Sequence, residues 1–461
     1  MLKKISLIVI IAISGIYILI SFDLAPKLLN EFSKNISVKQ KLYIKRTFFP
    51  LVHIRNLNSR IEAKKVIIKD HGTFIYWHDF AIKQSLENLV LQKSETINLK
   101  DLSLDVYKFE KNLIMKGVNS YKPGTGYLDF YDEKLFFVSS IGIFAYAETI
   151  DAKIIFKQIK NNIHEFAKPE SISKSVPVAI KDLAIIDSKV FVSYSNELKK
   201  DCWNTALIYA ELNYQELRFE KLYEPAVCNS SINPKDGSFN AHQSGGRIEA
   251  FEKNSILFSH GDYRYRSEVQ SSSSAFGKII KINLLNKEFE IIAKGFRNPQ
   301  GLYYDKEKKI ILETEHGPFG GDEINLIKVD DIGGEKMPNY GWPIASYGEH
   351  YPSVSEVNRK KYPLLKSHKK NGFIEPIKSF SPAIGISEII KIGNNKYLFG
   401  TMRNSSFYTF ELNKDNELIN LKKFFVDDRV RDIAYMNNKV YLFLETVPSI
   451  TIIQNTTKLE Q

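Results

Sequence analysis

Along most of the chain the hydrophobic positions fall in short runs, each introduced by a polar turn. DEKLFFVS at Asp132, DSKVFVSY at Asp187, EKNSILFS at Glu252, KEKKIILE at Lys306, GNNKYLFG at Gly393 and NNKVYLFL at Asn437 share this design. In each, Asp, Asn, Glu, Lys or Gly residues turn the chain and a β-branched or aromatic run follows, which is hairpin chemistry. The units recur at intervals of about 45 to 85 residues, enough for one four-stranded sheet and a variable loop. Six such units predict an all-β fold, a six-bladed β-propeller over residues 118–455. A β-sandwich also shows hairpins at intervals, but it has no need of so many similar units over so long a stretch. Convincing amphipathic helical patterns are scarce after Tyr121.

The N-terminus breaks this pattern. Ile5 to Phe22 carry no charge, follow Lys3 and Lys4, and end at Asp23. A run of that length sits at the lower edge of what spans a bilayer and also fits the apolar region of an export signal. Residues 1–23 are therefore expected to be a signal anchor or signal peptide. The long apolar core, with no clear small-x-small cleavage site, favours a retained anchor. Basic residues ahead of it orient the rest of the chain outward, to a periplasmic or extracytoplasmic location with the membrane as partner. Residues 24–117 read as a membrane-proximal module of unknown role: a short stalk, then strand-like stretches AKKVIIKD and TFIYWHDF.

Composition narrows the function. With 43% hydrophobic and 12% aromatic residues in 461, the chain is globular. The formal charge of +11 raises nucleic acid as a partner, but the lysines are interspersed with Asp and Glu and form no long basic block, so no nucleic-acid partner is expected. An anionic membrane surface is a better outlet for that charge. No Rossmann glycine fingerprint, P-loop or H-E-x-x-H motif is present, which disfavours nicotinamide, nucleotide and zinc-protease chemistry. Cys202 and Cys228 would be inert core thiols in the cytosol. In an oxidising compartment they are expected to pair.

Candidate chemistry lies where Gly, Pro, charge and aromatics mix. AHQSGGRIEAFEKNSILFSHGD, Ala241 to Asp262, places an imidazole at His242 before a glycine pair and an acid at Asp262 after the next strand. This is how a general base and an orienting carboxylate are usually presented, although a lone His is as often structural. GFRNPQGL, Gly295 to Leu302, sets Arg297 and Asn298 before a turn-constraining proline; Arg offers a planar donor fork and Asn a donor beside it. A buried arginine bridging blades is the structural alternative. ETEHGPFGGDEINLI, Glu313 to Ile327, and NYGWP, Asn339 to Pro343, include a loop that exposes backbone carbonyls of the kind calcium accepts.

HQSGGR, GFRNPQGL, TEHGPFGGDEINLI and NYGWP, in this order, resemble the soluble quinoprotein glucose/sorbosone dehydrogenase family, including the aldose sugar dehydrogenases. The match is strong from Ala241 to Tyr347, extends through SPAIGISEI at Ser381 and DDRVRDIAY at Asp427, and is absent before about Val176. The resemblance implies a six-bladed propeller that binds pyrroloquinoline quinone and calcium, oxidises a sugar or related alcohol, and passes electrons to an external acceptor. It implies His242 as general base with Asp262 orienting it. Arg297 and Asn298 would lie at the quinone carbonyls, with Gly317 and Pro318 as carbonyl donors to calcium. Arg429 and Arg431 would hold the cofactor's carboxylates, and Arg403 stands where the family often has Lys, keeping the charge but not its point geometry. Two departures stand out. The early blade's usual Gln-containing motif is replaced by PVAIKDLAIID, so one cofactor contact is lost, and Ala241 stands where some members have an acid. The competing expectation is a degenerate, non-catalytic propeller that binds a glycan or protein. A lactonase-like hydrolase would need acidic metal ligands converging from several blades.

Overall fold

Each of the six turn-and-run segments forms the second strand of an antiparallel sheet: Lys134–Ser139, Lys189–Lys199, Ser255–His260, Ile310–Glu315, Lys396–Thr401 and Lys439–Leu444. The turns before them hold residues at positive φ, such as Asp132 at 48° and Glu133 at 59°, Asp187 at 50° and Ser188 at 60°, and Asn437 at 49° and Asn438 at 57°. Two consecutive positive φ values give the chain a twist that matches the flanking strands, which is why short polar residues recur there.

The computed structural model describes residues 86–99, 102–109, 125–148, 152–167, 180–230, 232–233, 235–454, 456 and 459. The expected anchor at 1–23 and the stretches AKKVIIKD and TFIYWHDF lie outside them. No helix among the described residues is long and apolar enough to cross a membrane.

The strands of this part gather into antiparallel four-strand units. Their first strands are Gly126–Tyr131, Ile180–Ile186, Gly245–Phe251, Pro299–Asp305, Ile386–Gly393 and Val430–Met436, here called units one to six, and neighbouring first strands touch around a closed ring. The sheets pack face to face, and each seam is its own apolar core. Phe136, Tyr146, Val190 and Ile208 fill the first seam, and Leu302, Ile311, Leu257 and Ile279 fill the third. Strands buried on both faces explain why the sequence shows apolar runs rather than strict alternation.

Ring closure differs from the expected boundary at residue 118. Leu102–Phe109 completes unit six as its fourth strand, pairing Leu104 with Ile453, and Leu89–Leu99 pairs both with it and with Lys153–Asn161 of unit one. A hairpin assigned by sequence to the N-terminal module thus belongs to the sheet assembly. The available signal was the alternation of apolar Leu102, Leu104 and Val106 with polar Ser103 and Asp105 in LSLDVYKF.

Polar contacts at the axis tie the units together. Asp432 accepts from the Leu128 amide at 2.7 Å, Asp129 from Ile185 at 2.6 Å and Asp182 from Ile248 at 2.7 Å, each across a seam. At their centre lies Arg247. Its Nη1 is 2.8 Å from Asp182, 2.6 Å from Glu388 and 2.5 Å from Asp432. Its Nε donates to Gln300 O at 2.6 Å, its Nη2 to Arg431 O at 3.2 Å, and the guanidinium lies 5.3 Å from the Tyr127 ring centroid. From unit three it therefore reaches all five other units. Three acids from three units do converge, as a metal-dependent hydrolase would need, but they converge on a guanidinium.

Burial pushes the carboxyls of Asp182, Glu388 and Asp432 above their usual range, and Arg247 pulls them back toward ionisation. Arg247→Met should cost about 3–5 kcal/mol, because it leaves buried carboxylates without their cation. The acids would then hold their protons more tightly folded than unfolded. Their stabilisation is complete below the unfolded carboxyl range and is lost as pH rises through the raised folded values. Urea melts should show the deficit growing from pH 5 to pH 8; a pH-independent deficit would contradict this account.

Candidate active site

Residues of the third, fourth and sixth units build one polar face. The loop into unit three begins at the disulfide between Cys202 and Cys228, whose Cα atoms are 5.2 Å apart, so the expected pairing is present. Next to it Trp203 and Asn229 exchange both backbone hydrogen bonds at 2.8 Å, and Asn229 Nδ2 donates to Tyr263 O at 3.0 Å. The bridge thereby helps hold the segment leading to His242. Asn240 Oδ1 accepts from the His242 amide at 2.9 Å and turns the chain there.

The imidazole of His242 is half-buried and neutral at physiological pH, its pKa lowered to about 3. Burial is the main cause; Lys181, Arg431 and Arg264 add to it, and Glu445 opposes them. Such an imidazole is in the form that can accept a proton, but burial and the neighbouring cations make it a weak base until negative charge arrives beside it. Glu445 is an acid that acts on it. Asp262, expected behind it, has firm partners of its own: Trp342 Nε1 donates to Asp262 Oδ2 at 2.8 Å and the Arg264 amide to Oδ1 at 2.8 Å. Gln243, with its amide oriented to satisfy both neighbours, donates to Asp262 Oδ1 at 2.8 Å and accepts from Arg297 Nη2 at 2.9 Å. Asp262 thus acts on the arginine side of the site, where Arg297 and Arg266 pull its pKa down against burial.

Arg297 and Asn298 stand together, as expected. Their amides both donate to Glu315 Oε2. Arg297 Nη1 donates to His316 O at 2.6 Å, and its guanidinium lies 5.5 Å from the Trp342 ring centroid. Asn298 Oδ1 accepts from the Gly245 amide and from Gln300 Nε2, each at 3.2 Å. Gln300 in turn accepts from Arg431 Nη1 at 3.3 Å. A continuous polar chain thus runs from Arg297 and Asn298 through Gln300 to Arg431. Gln300 lies inside a motif singled out by sequence, yet no local pattern marked it for this linking position.

Arg429 and Arg431 also come together, on an internal partner that the sequence did not reveal. Glu445, fully buried, accepts from Arg431 Nη2 at 2.9 and 3.0 Å, from Arg429 Nε at 3.1 Å and from Thr125 Oγ1 at 2.7 Å. Its pKa is about 2; Arg431 and Arg429 outweigh a burial effect that by itself would raise it. Arg403 is exposed, on the loop held by its own amide to Ile384 O at 3.1 Å.

Gly317 and Pro318 are buried in the loop between the second and third strands of unit four. A side chain at Gly317 would come within 1.7 Å of Gly321 O, so only glycine lets the loop close on itself. Asp322 fastens it: Oδ1 accepts from the Gly317 amide at 3.2 Å, and Oδ2 from Ile384 at 2.9 Å and Gly385 at 2.6 Å in unit five. This carboxylate also sets the loop carrying Arg403, because the Met402 amide donates to Gly385 O at 2.7 Å.

The fold and this face define a class: an all-β propeller that gathers a neutral imidazole, buried arginines and a glycine-rich carbonyl loop from several sheets. Residues 184–449 match the glucose / sorbosone dehydrogenase family, and the chain belongs to that family. An uncharacterised protein of Synechocystis is 28% identical over 193 residues, 38% of this chain and 43% of the relative. The aldose sugar dehydrogenase of Escherichia coli is 28% identical over 166 residues, 33% of this chain and 41% of the relative. The chain therefore matches less than half the length of these curated relatives. The structure of the PQQ-bound aldose sugar dehydrogenase of Streptomyces coelicolor superposes with a TM-score of 0.54 over 80% of this chain and 98% of that one. At 14% identity it shows a shared fold.

Glu445→Gln should destabilise the protein by about 3 kcal/mol at pH 7, because Arg431 and Arg429 hold its carboxyl well below the usual range, at about 2. Because that pKa is depressed, the stabilisation is present above the unfolded value and is lost as pH falls through about 2. Acid unfolding of the variant should accordingly show a shallower loss below about pH 4.5 than wild type; parallel acid transitions would refute this role for Glu445.

Proposed function

We propose that this protein is a sugar dehydrogenase that uses pyrroloquinoline quinone and calcium to oxidise an aldose or related alcohol. The observation that carries the reading is a neutral His242 set among cations, on the same face as the Arg431–Gln300–Asn298–Arg297 chain. Family membership and the printed activity of the Escherichia coli relative support it.

The residues present fit a carboxylate-bearing cofactor. The buried Nε of Arg431 has no acceptor within hydrogen-bond reach, and Arg429 and Arg431 lie together on Glu445 beside it. For calcium the fit is narrower: Gly317 and Pro318 offer neutral carbonyl oxygens, while Asp322 is occupied by backbone amides. When bound, the quinone would supply the hydride acceptor and calcium would polarise it. On the protein side, His242 would take the substrate hydroxyl proton, and Arg297 and Asn298 would present donors where negative charge develops. Asp262 and Gln243 would hold Arg297 in place, and Trp342 would form the wall beneath its guanidinium.

One observation favours a second reading. Arg429 and Arg431 already share an internal carboxylate, Glu445, which lowers the positive charge left for a cofactor. A family member that binds its ligand without turnover would look the same at these two positions. His242→Ala separates the readings. For the enzyme, melting temperature and quinone binding should hold while sugar oxidation falls about a hundredfold to ten-thousandfold. If wild type shows no quinone-dependent oxidation of any aldose or alcohol, and the variant alters stability alone, the binding protein replaces the enzyme.

We also propose an extracytoplasmic location for the propeller. The disulfide belongs in an oxidising compartment, and the apolar segment behind Lys3 and Lys4 has the form of an export signal or anchor. A C-terminal alkaline phosphatase fusion, active only after export, should be active in cells; a silent fusion beside an active cytosolic reporter at the same position would refute export.

A further inference from the structure

Arg266 opens the short helix Arg266–Val269, just beyond Asp262 in unit three. Only 6% of its surface is exposed. Its guanidinium lies 5.9 Å from the ring centroids of both Trp342 and Tyr362, so aromatic rings flank it where acids usually stand. Nε and Nη1 are buried without a hydrogen-bond partner, which leaves Nη2 as the accessible edge. Two carboxylates act on this guanidinium, and both are committed elsewhere. Asp236 Oδ1 accepts from Tyr362 Oη at 2.5 Å and from Lys361 Nζ at 3.1 Å, and its Oδ2 from the Ser267 amide at 3.1 Å and hydroxyl at 3.0 Å. Asp262 is taken by Trp342, Gln243 and the Arg264 amide. A guanidinium buried this deeply is costly without an acceptor, and its planar fork matches a carboxylate.

Trp342 joins this guanidinium to the site. The same indole lies 5.5 Å from the Arg297 guanidinium, and its Nε1 donates to Asp262, which Gln243 links to the turn of His242. Arg266 thus belongs to the Trp342 side of the site, whereas Arg429 and Arg431 gather on Glu445 of unit six.

We infer that Arg266 is a substrate-binding residue that takes the carboxylate of an acidic sugar, so that the substrate class of this site is a uronate. The inference deepens the proposed function and rests on that reading for the sugar itself. In a uronate the carboxylate and the anomeric hydroxyl stand at opposite ends of the carbon chain, so Arg266 and His242 address different ends of one molecule. The acidic end supplies the acceptor that the buried donors of Arg266 lack.

Titration calorimetry of the full chain without quinone, using D-glucuronate and D-glucose at equal ionic strength, reads sugar binding apart from oxidation. Wild type should bind glucuronate about tenfold or more tightly than glucose, the usual effect of a hydrogen bond to a charged group. Arg266→Met should bring the two affinities within about twofold of each other and leave glucose binding as in wild type, whereas a purely structural arginine would change both sugars alike. Equal affinities in wild type, no binding of glucuronate, or an unchanged preference in a folded Arg266→Met each overturn the inference. Methionine keeps an apolar stem between the rings and removes a charge without a hydrogen bond, so the variant should fold, which a melting curve checks. If it does not, Arg266→Lys decides: a preference cut several-fold supports the role, because an ammonium lacks the planar fork, and an unchanged preference overturns it. Turnover of the quinone- and calcium-loaded enzyme is scored separately. No oxidation of either sugar counts against the proposed function and leaves the glucuronate preference standing as support for Arg266.

Discussion

Arg247 is the contact on which the rest of this structure depends. Its guanidinium sits at the axis of the ring and is held by acids from units two, five and six, by a backbone oxygen of unit four and by the face of a tyrosine from unit one. Buried ion pairs are costly to form, and they stabilise only where every charge finds partners. Here the condition is met by geometry that requires all the sheets to be in place at once. The acids also accept backbone amides across the seams, so the electrostatic centre and the sheet-to-sheet register are one arrangement. Apolar packing fills each seam but carries no direction; the acids and their guanidinium set how far each sheet turns into the axis.

The functional face inherits its precision from this centre. Arg247 follows His242 by five residues, in the strand Gly245–Phe251 that the His242 turn leads into, and Arg431 and Asp432 are neighbours, one turned to the site and the other to the axis. Gln300 uses its backbone oxygen to hold Arg247 and its side chain to join Asn298 with Arg431. Because neighbouring residues on a strand point to alternate sides, one set of first strands serves both purposes. The loop of Gly317 and Pro318 is fixed by a different device, the carboxylate of Asp322 gripping amides of unit five.

Burial and the cations Lys181, Arg431 and Arg264 keep His242 neutral. Glu445 opposes them. Its burial beneath Arg429 and Arg431 shows that arginines expected to serve a ligand also serve the fold, which makes their substitution hard to interpret by activity alone.

Much of this was legible in the sequence. The turn-and-run units marked the second strand of every sheet because hairpin turns need particular residues at positive φ, a local requirement. HQSGGR, GFRNPQGL and the His-Gly-Pro loop marked the site because glycine and proline report local backbone geometry. The pairing of Cys202 with Cys228 was likewise within reach, since two cysteines leave one choice. What sequence could not decide was which distant groups meet. Asp262 met Trp342 and Gln243; Glu445 and Lys181 entered the site from segments with no chemical signature; Leu89–Leu99 and Leu102–Phe109 joined the sheets instead of standing apart. Each is a contact between residues remote in the chain, and its partner is chosen by the twist and closure of the whole ring. Local propensity governs turns and strands, but only the closed tertiary structure brings charges from different sheets within reach of one another.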